Sequence, residues 1–449
     1  KIMPSPWERS KILCSIPVVV LVIIAALDSA DKALLGASFP MLEKTLGLHV
    51  DTLGYFSLFT NLSYALCLPF WGWLIHHYTV QHAHTILCIA CFLWGIATLS
   101  IAQSETIVSQ AFFRSLNGAA LASILPLSQM MLVDLVPTSM RGSAFGLMGF
   151  VEKAAATLAT SAVVWSDDWR KPYLVVGSIS VLMAFASSRY LQMKTTKIKE
   201  DENNAKGEEL SLLGIFKRIS RIPVFVYLVA QGVFGAIPWD MMSFILLLLE
   251  WKNFTKEQII SFQVAGGVLG TFGAFLGGVL GDYFAHLPHG RIGVALVSVL
   301  SGILFYGLFL FSETYQYSIF WKCMFHLTGG WTPAAALRPI CADLAQNQSE
   351  RAQIVAAWVL LEKTSSAVFG APLVGFLTKR LFDENIISSN TEKARVLAMN
   401  MFLLSTFFWG ICAYFFLLMG RAEKDRKSLS QQDETKNKQY IHNMATTNV

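Results

Sequence analysis

Twelve apolar segments, most of them long enough to cross a membrane, follow one another along this 449-residue chain. A run of roughly 20 apolar residues spans the hydrocarbon core of a bilayer as a single helix. Charged residues make up only 14% of the chain, whereas an average soluble domain has about 25%. The sequence therefore predicts an all-α membrane protein with twelve transmembrane helices.

These segments fall into two groups of six, separated by a charge-rich stretch that lacks aromatic residues. We expect the helices near 16–42, 52–75, 84–103, 106–134, 142–165, 172–192, 223–250, 256–282, 291–311, 315–343, 352–377 and 396–419. The predicted domains are an N-terminal six-helix bundle (1–192), a cytoplasmic linker with an amphipathic helix (193–221), a C-terminal six-helix bundle (222–420) and a disordered cytoplasmic tail (421–449).

Lys and Arg in the loops predict the orientation, because basic residues are enriched on the cytoplasmic side. They precede the first helix, fill the linker and follow the last helix. We therefore expect a multi-pass protein with both termini in the cytoplasm; the sequence does not say in which membrane. The loop after the eleventh helix disagrees, since it carries Lys379, Arg380, Lys393 and Arg395 on the opposite side.

The two halves of the chain repeat each other at offsets of about 206 to 210 residues. In the first half Asp134 and Arg141 precede a Glu-Lys pair, and in the second half Asp343 and Arg351 do the same. The matching pairs are Glu152-Lys153 and Glu362-Lys363. Such a repeat predicts two pseudo-symmetric six-helix bundles around a central site, which is an architecture of secondary transporters.

The first helix carries Asp28, Asp31 and Lys32 in its middle. A charge at the centre of a bilayer costs at least about 2.5 kcal/mol on insertion scales, so it is expected to face a polar cavity or a partner. Lys32 lies four residues after Asp28 and can pair with it on one helix face. Asp31 is the first candidate for proton coupling and Asp28 the second; the alternative for Asp31 is a permanent pair with Lys32 or Arg114.

The Glu-Lys pairs of the fifth and eleventh helices lie about half-way across the membrane. Neighbouring residues on a helix point about 100° apart, so each pair cannot fold onto itself. Two arrangements are open. Either Glu152 meets Lys363 across the boundary between the halves, or each pair is neutralised within its own half. The candidates for substrate binding or gating are Lys32 of the first helix and four residues of other helices; the latter are Arg114, Asp240, Lys322 and His326.

Several short motifs resemble those of the major facilitator superfamily. Gly278 to Asp282, followed by Gly290-Arg291, resembles its loop motif between the second and third helices of a half. Arg114 to Gly118 resembles its R-x-x-x-G motif in the fourth helix. In the first helix, Asp31-Lys32 with Pro40 and Glu43 resembles the spinster-like lipid transporters. This group also has counterparts of Ser63-Tyr64, Pro69, Gly72, Asp134 and Arg141.

The resemblance implies the major facilitator fold and transport by alternating access, coupled to protons. It implies a lysophospholipid or sphingoid lipid as substrate. The chain departs from the family at two places: after Gly72, His76 and His77 stand where the family has an acid and a base, and the family's fourth-helix Glu has no counterpart near Leu121.

Two other functions stay open. The cations of the predicted cavity helices also suit a small organic anion, because Arg and Lys bind carboxylates and phosphates. A non-transporting sensor that kept the fold is the third possibility. The sequence contains no P-loop, metal-spaced His pair or nucleophile motif. We expect no enzyme activity, cofactor, metal or nucleic-acid partner; the expected partners are a substrate, protons and the bilayer, with the chain acting as a monomer.

Overall fold

The computed structural model describes residues 12–77, 83–137, 140–166, 168–191, 220–287, 290–344, 348–385 and 389–447. Within these ranges every regular element is helical. The predicted amphipathic helix of the linker lies outside them, as does most of the linker itself. The first six helices are α1 (Ile16–Leu46), α2 (Val50–His77), α3 (Ala83–Gln103), α4 (Ile107–Leu135), α5 (Arg141–Ser166) and α6 (Arg170–Tyr190).

The second half is more broken than the first. Its helices are α7 (Pro223–Gly235), α8 (Ile237–Met241), α9 (Ile245–Trp251), α10 (Lys256–Tyr283), α11 (Gly290–Phe311), α12 (Tyr315–Thr328), α13 (Arg338–Leu344), α14 (Gln348–Phe369), α15 (Ala371–Asn385) and α16 (Asn390–Thr447). Helices α7 to α9 form the seventh span, α12 and α13 with a π-helical turn at Pro333–Leu337 form the tenth, and α14 and α15 form the eleventh.

The breaks have a local cause, because proline lacks the N–H that the preceding turn needs. Pro238 lies at the start of α8, and Pro333 begins the π-helical turn. Gly370 separates α14 from α15, and Pro372 follows within the first turn of α15. The sequence gives each of these spans as one apolar segment and marks Pro238 as a residue that can break the seventh helix, so the breaks change the detail and not the number of spans.

Eight helices of the described chain, counting Pro223–Trp251 as one, are long and apolar enough to cross a membrane. With α1, α2 and the broken tenth and eleventh spans, they make up twelve. The last helix continues to Thr447, whereas the sequence predicts a disordered tail after Gly420. The segment from 421 on contains no Gly or Pro and is rich in Lys, Glu and Gln, which are residues that favour helix.

Helix packing repeats between the halves. In the first half α1 packs on α5, α2 on α4, and α3 on α6. In the second half the corresponding spans pair in the same way, α7 with α14, α10 with α12, and α11 with α16. The predicted pair of pseudo-symmetric six-helix bundles is therefore confirmed.

The two bundles meet at three main places in the described chain: α2 packs on α14 and α15, α5 packs on α10, and α1 packs on α9. Helix α1 thus has neighbours from both halves, and its contact with α9 lies near the end that carries Glu43.

Candidate functional site

Asp31 lies in a buried polar network inside the first half. Its side chain is 4% exposed. Thr98 of α3 donates to Asp31 Oδ1 at 2.9 Å, and Asn117 Nδ2 of α4 donates to Oδ2 at 2.9 Å. Among the described residues, neither Lys32 nor Arg114 forms an ion pair with Asp31. Neutral donors hold this carboxylate, so the permanent ion pair that the sequence left open is not formed in this conformation.

Asp28 and Lys32 form the ion pair that their spacing predicts, with 2.7 Å between Lys32 Nζ and Asp28 Oδ2. Asp28 is buried, whereas the Lys32 side chain is 38% exposed. The Lys32 ammonium also lies 4.7 Å from the centroid of the Tyr64 ring. The Lys32 ammonium is thus held between a carboxylate of its own helix and an aromatic ring of α2.

The two mid-span Glu-Lys pairs share one pattern. Lys153 and Lys363 are exposed, whereas Glu152 and Glu362 are half-buried. The charge of Glu152 interacts with those of Asp28 and Lys32 in its own half.

No ion pair between Glu152 and Lys363 is present among the described side chains, and the two arrangements that the sequence left open stay predictions. Lys153 also interacts electrostatically with His326 on α12, in the other half. We use the name central gap for the mid-span region of the two bundles that carries Lys32, Tyr64, Lys153, His326 and Lys363.

Two predicted substrate residues, Arg114 and Lys322, are buried cations held by aromatic rings. Arg114 is 2% exposed, and its guanidinium carbon lies 5.2 Å from the Phe56 ring and 5.6 Å from the Tyr173 ring. Its Nε donates to Gln110 Oε1 at 3.1 Å. Neither ring could be assigned from the sequence; the i, i+4 spacing of Gln110 and Arg114 was the one available signal.

Lys322 occupies the corresponding place in the second half, on α12. It is 3% exposed, and its Nζ lies 5.4 Å from the Phe262 ring and 5.8 Å from the Phe309 ring. Cations over aromatic faces are stabilised by the ring quadrupole, most of all when they are removed from water. In this conformation Arg114 and Lys322 are therefore inaccessible from the central gap.

Asp240 lies where the two halves meet. Its carboxylate accepts hydrogen bonds from Ser57 and Asn61 on α2 and from the backbone N–H of Ala371. The sequence suggested a site role for Asp240 next to Pro238, but gave no partner for it.

The loop motifs are partly described. Arg291 Nη2 lies 2.6 Å from Asp282 Oδ1, so the acid and base of the second-half motif form an ion pair. Arg141 donates to the Val133 carbonyl at 3.2 Å and interacts electrostatically with Asp134. Gly72 is exposed on α2, and Gly278 is partly exposed on α10. The side chains of His76, Arg338, Asp343 and Arg351 lie outside the described residues.

A second polar cluster, which we call the closed end, joins the halves where α1 ends and α2 begins. Lys44 pairs with Glu250, Lys379 pairs with Asp51 at 3.1 Å, and Lys393 lies 4.0 Å from Glu43. The Trp251 indole N–H also donates to Glu43 at 3.1 Å. A cavity of about 70 Å³ lies within this cluster, lined in part by Glu43, His49, Lys379, Asp383 and Lys393.

The closed end accounts for the basic loop that disagreed with the predicted orientation. Lys379 and Lys393 neutralise acids that the first half presents at this end, Asp51 and Glu43. Two of the four basic residues of this loop thus take part in a contact between the bundles.

Reversing Lys379 to Glu is expected to loosen the closed end, because it places two like charges opposite each other at Asp51. Exposed ion pairs contribute about 0.2–1 kcal/mol each, so loss of the pair plus repulsion should raise the labelling rate of a Leu48→Cys thiol, at a buried position of this cavity, roughly fivefold to tenfold. Lys171→Glu, an exposed lysine at the same end, is the matched control. Adding Asp51→Lys should restore slow labelling; fast labelling in that double variant would contradict the pairing.

Comparisons with known proteins agree with this architecture. The family profile of the Major Facilitator Superfamily matches residues 21–371. The probable galactarate/D-glucarate transporter GudP of Bacillus subtilis is 21% identical over 316 residues, which cover 64% of this chain and 69% of that protein. The D-galactonate transporter of Escherichia coli is 25% identical over 178 residues, covering 39% of this chain and 40% of that protein.

Solved structures share the fold. A crystal structure of a bacterial homologue of the human lysosomal transporter Spinster, inward-facing and unoccupied, has a TM-score of 0.76 at 17% identity and covers 93% of this chain and 98% of its own. The nucleoside transporter NupG has a TM-score of 0.66 at 13% identity and covers 88% of this chain and 98% of its own. With the family profile spanning most of the chain and both bundles formed, this chain belongs to the Major Facilitator Superfamily and is a membrane transporter, not an enzyme.

Proposed function

We propose that this chain transports an organic anion by alternating access, driven by protons that bind and leave Asp31. One observation supports the anionic substrate above all. Lys32, Lys153 and Lys363 are exposed at mid-span, whereas Asp28 is buried and Glu152 and Glu362 are half-buried. Exposed ammoniums are groups that bind a carboxylate or a phosphate, so they favour an anionic substrate.

The proton-coupling role follows from the different surroundings of the two acids of α1. Asp28 is tied to a cation, whereas Asp31 has neutral donors. Asp28 and Asp31 repel each other when both are ionised. A proton on Asp31 relieves that repulsion without breaking an ion pair, so Asp31 is the acid that can gain and lose a proton at the smaller cost.

Two substrate classes carry such an anionic group. Sugar acids are the first, and the two sequence relatives, transporters of galactarate/D-glucarate and of D-galactonate, favour them. Lysophospholipids, which the spinster-like motifs imply, are the second; the sphingoid lipids that these motifs also imply carry such a group only when they are phosphorylated. A sugar acid offers a carboxylate to the three lysines, and a lysophospholipid offers a phosphate.

The test is uptake into liposomes containing the purified protein, with a pH gradient imposed across the membrane. D-galactonate, galactarate and lysophosphatidylcholine are each tested in turn as the transported compound, with the other two as competitors. D-xylose is the neutral control. Competition by the sugar acids alone supports the first class, and competition by the lysolipid alone supports the second. Equal competition by the neutral sugar would overturn the anion proposal.

Each of the substitutions Lys32→Gln, Lys153→Gln and Lys363→Gln is expected to weaken substrate binding. A hydrogen bond to a charged group contributes about 1.5–3 kcal/mol, so KM should rise roughly tenfold to a hundredfold. Lys424→Gln, an exposed lysine beyond the apolar part of α16, is the matched control and should leave KM unchanged. An unchanged KM in all three gap variants would show that the substrate does not meet these ammoniums.

A further inference from the structure

Asp240 connects the two bundles through a set of hydrogen bonds that no local sequence pattern explains. Asn61 Nδ2 donates to Asp240 Oδ1 at 2.6 Å, and Ser57 Oγ donates to the same oxygen at 3.3 Å. Both donors lie on α2, in the first half. The other oxygen, Oδ2, accepts from the backbone N–H of Ala371 at 2.9 Å, in the second half.

The bond to Ala371 is a helix cap supplied from another span. The first N–H groups of a helix have no partner within it, and a carboxylate at this end is favoured by the helix dipole. Ala371 begins α15, and Asp240 takes the place that an N-cap side chain would normally fill. Gly370 makes this possible, because a Cβ at Gly370 would lie 2.5 Å from Asp240 Oδ2.

The hydrogen bonds of the Asp240 carboxylate respond differently to movement of the bundles. The bond to Ala371 lies within the second half and can persist while that half rocks as one body. The bonds to Ser57 and Asn61 cross the boundary, so they break when α2 separates from α8. An ionised carboxylate satisfies all three donors at once because it is acceptor-only.

We propose that Asp240 is a positioning residue that keeps the closed end shut, by binding Ser57 and Asn61 of the first half while it caps α15 of the second. This inference rests on alternating access as proposed above. It assigns to Asp240 no contact with the substrate and no part in proton transfer. It makes the junction of α2, α8 and α15 the point at which opening is resisted.

The experiment measures distances across the closed end in the full-length protein, without substrate or pH gradient. Spin labels are placed at Glu105→Cys and Thr314→Cys, one exposed position in each half at this end, after replacement of the native cysteines. Loss of a hydrogen bond to a charged group should increase the open population about tenfold in Asn61→Ala. Asn400→Ala is the matched control, because Asn400 donates to Thr378 inside the second half alone.

Asp240→Asn separates the two roles of the carboxylate. The amide oxygen still caps α15, so the protein should fold, but the amide N–H₂ now faces the donors of α2 and the open population should rise. In the double variant Asp240→Asn with Asn61→Asp, the amide at position 240 donates and the carboxylate at position 61 accepts. This exchange should restore the closed population. Unchanged distances in both single variants, or an exchanged pair that stays open, would overturn the proposal. Because the labels report conformation alone, a failed transport assay leaves this result intact.

Discussion

Replacing Asp31 with Asn is expected to reduce proton-driven accumulation to the level of protein-free liposomes, while leaving the protein folded. Asn has the same shape as Asp and keeps an oxygen for Thr98 or Asn117, so the buried network loses charge but little packing. It has no proton to exchange, so a pH gradient can no longer do work through this position. Accumulation of labelled substrate under an imposed gradient is the measurement.

Counterflow in the same liposomes provides the control for this prediction. Exchange of substrate across the membrane needs the rocking motion but no net movement of protons, so Asp31→Asn should retain it. Asp28→Asn should have a different effect from Asp31→Asn, because it removes the ion-pair partner of Lys32. It should change the substrate affinity more than the pH dependence of accumulation. Accumulation that still follows the pH gradient in Asp31→Asn would remove the coupling role from this residue.

Replacing Gly118 with Val is expected to prevent the first bundle from packing. A Cβ at Gly118 would lie 2.1 Å from the carbonyl oxygen of Thr60, so α4 and α2 touch at the level of their backbones. A backbone atom cannot move aside as a side chain can, and overpacking of this kind should cost about 3 kcal/mol or more. We expect little or no monodisperse protein on size exclusion, and a lowered unfolding temperature for what remains.

Gly146→Val is the matched control for Gly118→Val. Gly146 is also a helical glycine, but nothing lies within 4 Å of the position that its Cβ would take. Yield and unfolding temperature close to those of the parent protein are expected there. Equal losses in both variants would mean that helix propensity, and not the close approach of α4 to α2, determines the effect.

Gly118 also gives a physical reason for part of the R-x-x-x-G resemblance. The glycine serves the contact between α2 and α4, whereas Arg114 is buried on rings one turn away. The sequence favoured a substrate or gating role for Arg114 because charged residues in spanning helices face cavities. The burial of Arg114 shows a second solution, in which aromatic rings and Gln110 surround the cation.

Contacts between residues close in sequence were predictable. The Asp28–Lys32 pair follows from i, i+4 spacing, and the Asp282–Arg291 pair lies within one loop motif. The partners of Asp31 were not predictable, since Thr98 and Asn117 are 67 and 86 residues away along the chain. Spacing on one helix says which side chains share a face, and nothing in it says which other helix covers that face.

The mid-span Glu-Lys pairs illustrate the same limit. Their repetition at matching positions of both halves was visible in the sequence, and so was their depth. Of the two arrangements left open, this conformation has Glu152 interacting with Asp28 and Lys32, in its own half. A pairing of Glu152 with Lys363 stays a prediction for a conformation in which the bundles are rotated relative to each other.

By itself the sequence determined that this chain crosses a membrane twelve times as two related bundles, with charges at mid-span. Apolar length and loop charge are properties of single segments on which the bilayer acts separately, and internal repetition is read by aligning the two halves of the chain. The tertiary structure alone decided that Asp31 has neutral partners, that Arg114 is hidden and that Asp240 bridges the bundles. These contacts depend on how helices that are far apart in sequence pack together, because the free energy that selects them comes from the interaction of two segments.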